Sequence, residues 1–141
     1  MRIFALAFIT TLALGGCGKA TEVVTTPTSR ATAATLGGVV SALQGSSLGV
    51  CKVDHTYKAL SAQAGAALTV DCASSSPTQI LVDSYASSDL AYTGAAFNYT
   101  PGSTDSWYVG DLAVQGLYLS ATETSALNNV MRSAGATQYT G

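Results

Sequence analysis

The chain has 141 residues, of which 10% are charged against a usual ~25%, and Ser, Thr, Gly and Ala make up the difference. Six basic and eight acidic side chains leave a net charge of −2. No basic cluster is present to neutralise phosphates, which excludes nucleic acid as an expected partner. No cofactor fingerprint is present either: Gly37-Gly38 has no phosphate-loop context, and no G-x-S-x-G elbow occurs.

The N-terminus opens with Met1-Arg2, followed by about a dozen mostly apolar residues from Ile3 to Leu14. One positive charge before a short apolar run is the layout of a secretory signal. The run is too short to cross a bilayer, which takes ~20 residues. It ends in Leu14-Gly15-Gly16-Cys17, which resembles the lipobox of bacterial lipoproteins: a branched apolar residue, two small residues and a cysteine. The resemblance implies cleavage between Gly16 and Cys17, a diacylglyceryl group on the Cys17 thiol, and acylation of the new amine with a palmitate-type chain. Two or three acyl chains at ~0.8 kcal/mol per buried CH₂ hold a protein far more firmly than the single chain that binds only marginally. Residue 18 is Gly rather than the Asp that resembles an inner-membrane retention signal, which implies the outer membrane in a Gram-negative envelope. The alternative is ordinary secretion, with cleavage at the small-x-small stretch Gly18-Lys19-Ala20 removing Cys17. The expected organisation is a signal peptide over 1–16, a lipidated Cys17 and flexible tether over 17–30, and one small globular domain over 31–141.

With Cys17 lipidated, Cys51 and Cys72 remain as an even pair in an oxidising compartment. A bridge between them closes a loop of about 20 residues and contributes roughly 3 kcal/mol on the loop-entropy model. A metal site is the competing use, since Cys51-x-x-x-His55 has ligand-like spacing. Only three such groups exist, though, and zinc usually takes four protein ligands or three plus water. A disulfide is therefore expected, and no metal or other cofactor.

In the tether, the Thr-rich stretch with Pro27 has no apolar period. Residues 30–44 place Leu36, Val39, Val40 and Leu43 at helical spacing, with Gly45 as a stop and a strand through Val39-Val40 as the alternative. Residues 47–53 read as a short strand or irregular entry. Asp54 can cap a helix over 55–64, stopped by Gly65, with Tyr57, Leu60 and Ala64 on one face. In 67–72, Leu68, Val70 and Cys72 alternate against Thr69 and Asp71, a strand pattern. A loop over 73–77 leads to a strand over 78–85 centred on Ile80-Leu81-Val82, then a turn at 86–89.

Residues 90–100, with Tyr92, Phe97 and Tyr99, are expected to form a strand ending at Pro101-Gly102, a pair suited to a type II turn. Strands over 106–109 and 112–119 flank Gly110-Asp111, which makes either a two-residue hairpin or a bulge. Ser120-Ala121-Thr122-Glu123 is a capping box, followed by Ala126, Leu127, Val130 and Met131 on one helical face and Gly135 as the stop. Residues 136–141 are expected to be a loose tail. The resulting class is α+β, a small antiparallel sheet packed on helices with a C-terminal helix; an all-β sandwich is the alternative.

The residues that might carry chemistry are few. His55 is the lone histidine, and Asp54 beside it faces elsewhere, so no Ser-His-Asp arrangement is expected. Asp83, Asp89, Asp105 and Asp111 are expected to be solvated turn or strand-end residues. The aromatics are the more informative set. Trp107, Tyr108, Tyr99 and Tyr92 crowd the strand-rich half, where they either fill the core or offer stacking faces to a ligand. In a strand, Trp107 and Tyr108 would point to opposite faces. The expected function is a non-catalytic, membrane-anchored envelope domain with a structural or protein-interaction role. The alternative is a glycan, peptidoglycan or small-ligand binding module using the aromatic strands.

Overall fold

A computed structural model describes residues 34–55 and 61–141 of the chain. The lipobox-like stretch with Cys17, the tether, and Tyr57 and Leu60 lie outside the described residues. The elements are α1 (Leu36–Gln44), β1 (Val50–Asp54), β2 (Ala64–Val70), β3 (Thr78–Ser84), α2 (Ser88–Phe97), β4 (Thr104–Val109), β5 (Leu112–Leu117), α3 (Ala121–Ser133) and β6 (Thr137–Tyr139). The strands form one open antiparallel sheet in the order β1-β2-β3-β5-β4-β6. The class is α+β, as the sequence implies.

Local signals explain most of the element ends. The Thr35 hydroxyl accepts the Gly38 N–H at 3.1 Å and caps α1. At α3 both halves of the capping box form: the Ser120 N–H donates to Glu123 Oε2 at 2.7 Å, and the Glu123 N–H donates to Ser120 Oγ at 3.3 Å. The helix ends at Gly135 with φ +73°. There the Gly135 N–H donates to the Arg132 carbonyl and the Ala136 N–H to the Met131 carbonyl, the bond pair of a Schellman motif. Val109 pairs with Leu112 across a two-residue hairpin whose Gly110 has φ +56°. At Pro101-Gly102 the Ser103 N–H donates to the Thr100 carbonyl, closing the expected turn.

The sheet buries both faces, by different means. One face carries Leu68, Val70, Ile80, Val82, Trp107, Leu112 and Val114, packed under Val39, Val40 and Leu43 of α1 and Leu127 and Met131 of α3. Gly116 lets α3 approach β5, because a Cβ there would collide with Leu119 and press on Leu127. The other face is covered over β4 and β5 by α2, through the small residues Ala91 and Ala95, with Tyr85 and Ala113 beside them.

Four expectations are corrected. The helix over 55–64 does not extend through its last turn: Ser61 has φ +68°, Ala64 and Gly65 belong to β2, and Gly65 pairs with Asp83 instead of stopping a helix. Cys72 lies beyond β2, because Asp71 turns the chain with φ +50°. Residues 88–97 are a helix, not a strand. Ser87 accepts the Leu90 N–H, Asp89 sits in the first turn where the helix dipole favours a negative charge, and Ala91 and Ala95 recur one turn apart. The β-preference of Tyr92 and Phe97 yields to these caps and to tertiary packing. Finally, the tail is not loose, since β6 pairs with the outer side of β4.

Candidate functional site

The strand alternation places Trp107 and Tyr108 on opposite faces, as expected. Trp107 is 2% exposed in the apolar core, so it serves packing rather than a ligand. The other three expected aromatics come together. Tyr92 on α2 meets Tyr108 of β4 edge to face at 5.4 Å, and meets Tyr139 of β6 at 5.6 Å. Tyr139 in turn meets Tyr99, in the turn after α2, at 5.3 Å. The result is a connected row, Tyr108–Tyr92–Tyr139–Tyr99, in the edge-to-face geometry that aromatic quadrupoles favour. Tyr92 is 47% exposed and the other three are half-buried, so the row is a surface feature. Tyr139 joins it only because residues 137–139 form a strand.

The row runs into one end of the sheet. Tyr99 and Tyr139 line a hollow of about 250 Å³ together with Ser103, Asp105 and Tyr118. A second hollow of about 330 Å³ shares Tyr118 and is bounded by Asp71, Ser74, Thr78, Ser120 and Glu123. Tyr118 and Leu119 line both. The Tyr118 backbone is held at φ +55° by the bend from β5 into α3, where its N–H donates to the Ser103 carbonyl at 3.0 Å, and the side chain is 77% exposed. The Cys51–Cys72 disulfide forms at this same end, with a Cα–Cα distance of 6.1 Å, and ties the start of β1 to the loop after β2 beside Asp71.

Two carboxyl groups have shifted proton affinities. Partial burial raises the pKa of Glu123, but bonds from Ser120 and from the Thr78 hydroxyl outweigh it and hold the group below its ordinary value. Asp83 behaves oppositely. Its place near a strand end predicts a solvated group, yet it lies within β3 with no exposed surface, flanked by Gly65 on β2 and Ala113 on β5. Neither oxygen has a hydrogen-bond partner among the described residues, and burial pushes its pKa up to about 6. Nearby, Gln115 Nε2 donates to the Gly94 carbonyl at 3.3 Å, while the buried Ser106 hydroxyl finds no partner among the described residues. The remaining acids match expectation more closely: Asp89 and Asp111 are exposed, and Asp105 accepts the Thr124 hydroxyl at 2.9 Å.

His55 is exposed just past the end of β1. Among the described residues no group of three or more His, Cys, Asp or Glu is gathered to hold a metal ion. No helix among them is long and apolar enough to cross a membrane. Comparison of the chain with protein-family models, with curated proteins and with solved structures yields no match.

Proposed function

We propose that this chain is a bacterial lipoprotein, held at the cell envelope by acyl chains on Cys17, whose folded domain is a non-catalytic recognition module. One observation carries the recognition role: the row Tyr108–Tyr92–Tyr139–Tyr99 stays at the surface and leads into the hollow beside Tyr118. Rings fixed by neighbouring rings lose little conformational freedom on contact, which suits them to be anchors for a glycan or another envelope protein. The anchor rests on the residues Leu14-Gly15-Gly16-Cys17 and on the even cysteine pair they leave behind.

The test has two arms. Cells fed an alkyne-tagged fatty acid should label the parent chain, and Cys17→Ser should lose the label and leave the membrane fraction. An unmodified mature chain starting at Thr21 would refute the anchor. In the second arm, the mature chain in detergent should co-sediment with isolated envelope fragments, and the pair Tyr92→Ala with Tyr139→Ala should lose that association while keeping its thermal transition. Undiminished sedimentation of the double variant would refute the tyrosine row as the recognition surface.

A further inference from the structure

The two hollows that share Tyr118 have a chemistry narrower than recognition in general. Nearly every donor and acceptor around them is a hydroxyl, a carboxylate or backbone, and among the described residues no Lys or Arg lines either hollow. Asp71 and Glu123 border one, and Asp105 the other. A phosphate or carboxylate ligand would meet like charge with no compensating cation.

Two of the three carboxylates are already engaged. Both Glu123 oxygens already accept bonds, from Ser120 and Thr78, and Asp105 Oδ2 accepts one from Thr124. Each of these bonds takes one of a carboxylate's four lone-pair sites and fixes its orientation, which weakens a bidentate grip on a guanidinium. The remaining lone pairs suit single bonds from neutral donors. The hollows share a ring that the fold does not use for burial: Tyr118 is 77% exposed. A glycine would make the same left-handed bend with less strain, so the turn alone gives no reason for a tyrosine there.

We infer that Tyr118 and the two hollows it lines form a binding site for an uncharged sugar chain, one ring lying on the Tyr118 face and its neighbours entering the hollows. Sugar rings supply what this site lacks: many hydroxyl or acetamido donors, an apolar C–H face to lie on an aromatic ring, and no charge. Volumes of about 250 and 330 Å³ sit at or below the small end of ligand pockets, in keeping with single sugar units rather than one bulky ligand. The position is favourable for an anchored protein. Ala34 and Thr35, where the described chain begins, gather with Val130 and Ala134 near the last turn of α3, whereas Ser120 and Glu123 belong to its first turn. The described chain therefore begins near the opposite end of α3 from the site, some 20 Å away along a 13-residue helix.

This inference rests on the recognition role proposed above, and its test is separable from that one. The mature chain in detergent is titrated by calorimetry with chitotetraose, an uncharged oligomer of an acetamido sugar. Binding is expected, with little change from low to high salt because no charge is neutralised. Tyr118→Gly should weaken it about tenfold or more, the size expected for losing one stacking ring, while melting no lower than the parent because the backbone strain is relieved. Asp71→Asn should weaken it severalfold. No binding at millimolar sugar, full binding by Tyr118→Gly, or tighter and salt-sensitive binding of a lysine-rich peptide in the same hollows would each overturn the assignment. If envelope sedimentation persists while chitotetraose fails to bind, the sugar assignment falls and the recognition role stands.

Discussion

On one face of the sheet, Leu, Val, Ile, Met and Trp side chains from six elements close a dry core. On the other, α2 rests through Ala91 and Ala95 on a floor that includes buried Asp83, Ser106 and Gln115. Alanines bury little apolar area, so α2 gains less from hydrophobic transfer than α1 and α3 do, at ~25 cal/mol per Å². They let the helix lie close to the sheet, while Tyr92 and Phe97 stay exposed. The dry face supplies stability. The polar face gives up part of it and in return holds an aromatic surface in place.

The largest test of this division is Trp107→Ala. Truncating a ring buried to 2% should cost about 3–5 kcal/mol, read as a lower urea midpoint with an unchanged slope. A loss below ~1 kcal/mol would mean that the dry face is not where stability resides.

Next in size is the pH response of the polar face. The Asp83 carboxyl has a folded pKa of about 6 against an ordinary 3.8, because burial disfavours its charge. A raised carboxyl pKa means that the fold prefers the protonated form. The cost of ionising it is fully present above pH 6 and fades as the pH falls toward 4, so this group adds about 2 kcal/mol of stability between pH 7 and pH 4. Urea midpoints across that range should rise on acidification in the parent and flatten in Asp83→Asn. An equally steep profile in the variant would assign the proton elsewhere. Glu123 acts with the opposite sign: its lowered pKa gives stability that is lost as the pH falls through the acidic range below its ordinary value.

The smallest effect comes from Gly94→Ala. A Cβ there would collide with the Tyr85 ring and hydroxyl, and the overpacking should outweigh the gain in helix propensity for a net loss of about 1 kcal/mol. Amide exchange should quicken in α2 and leave α3 unchanged, if the two faces are as independent as their packing implies. Equal quickening in both helices would erase the contrast.

The same contrast marks what a linear reading can recover. α3 was legible because its capping box, apolar spacing and terminal glycine all agree, and α1 and the Gly110-Asp111 hairpin were nearly so. These elements serve the dry face, where burial writes a strong period. α2 reads as a strand because its buried residues are alanines, which carry little hydrophobic signal, while its aromatics are exposed and suggest a strand. The tail reads as loose because three residues are too few to show an alternation. Asp83 could have been suspected: it directly follows Ile80-Leu81-Val82, and a strand buried on both faces reads as a continuous run. At the surface site, Tyr92, Tyr99 and Tyr108 were legible as a group by composition. Trp107 was separated from them only by the strand's two-residue period, and Tyr118 stood out only once its backbone angle and exposure were known.

An open sheet has two edges, and each is a template on which another copy could add a strand. Here one edge is β1, five residues long, with a register slip between Val50 and Lys52 and a disulfide at its start. The other is β6, three residues long. Neither offers a flat, regular run of unpaired backbone groups. Under the proposed lipid anchor, copies would meet in the plane of a membrane at high local concentration whether or not they have affinity. Short, irregular edges let such neighbours collide without zipping together, so crowding need not become fibre growth.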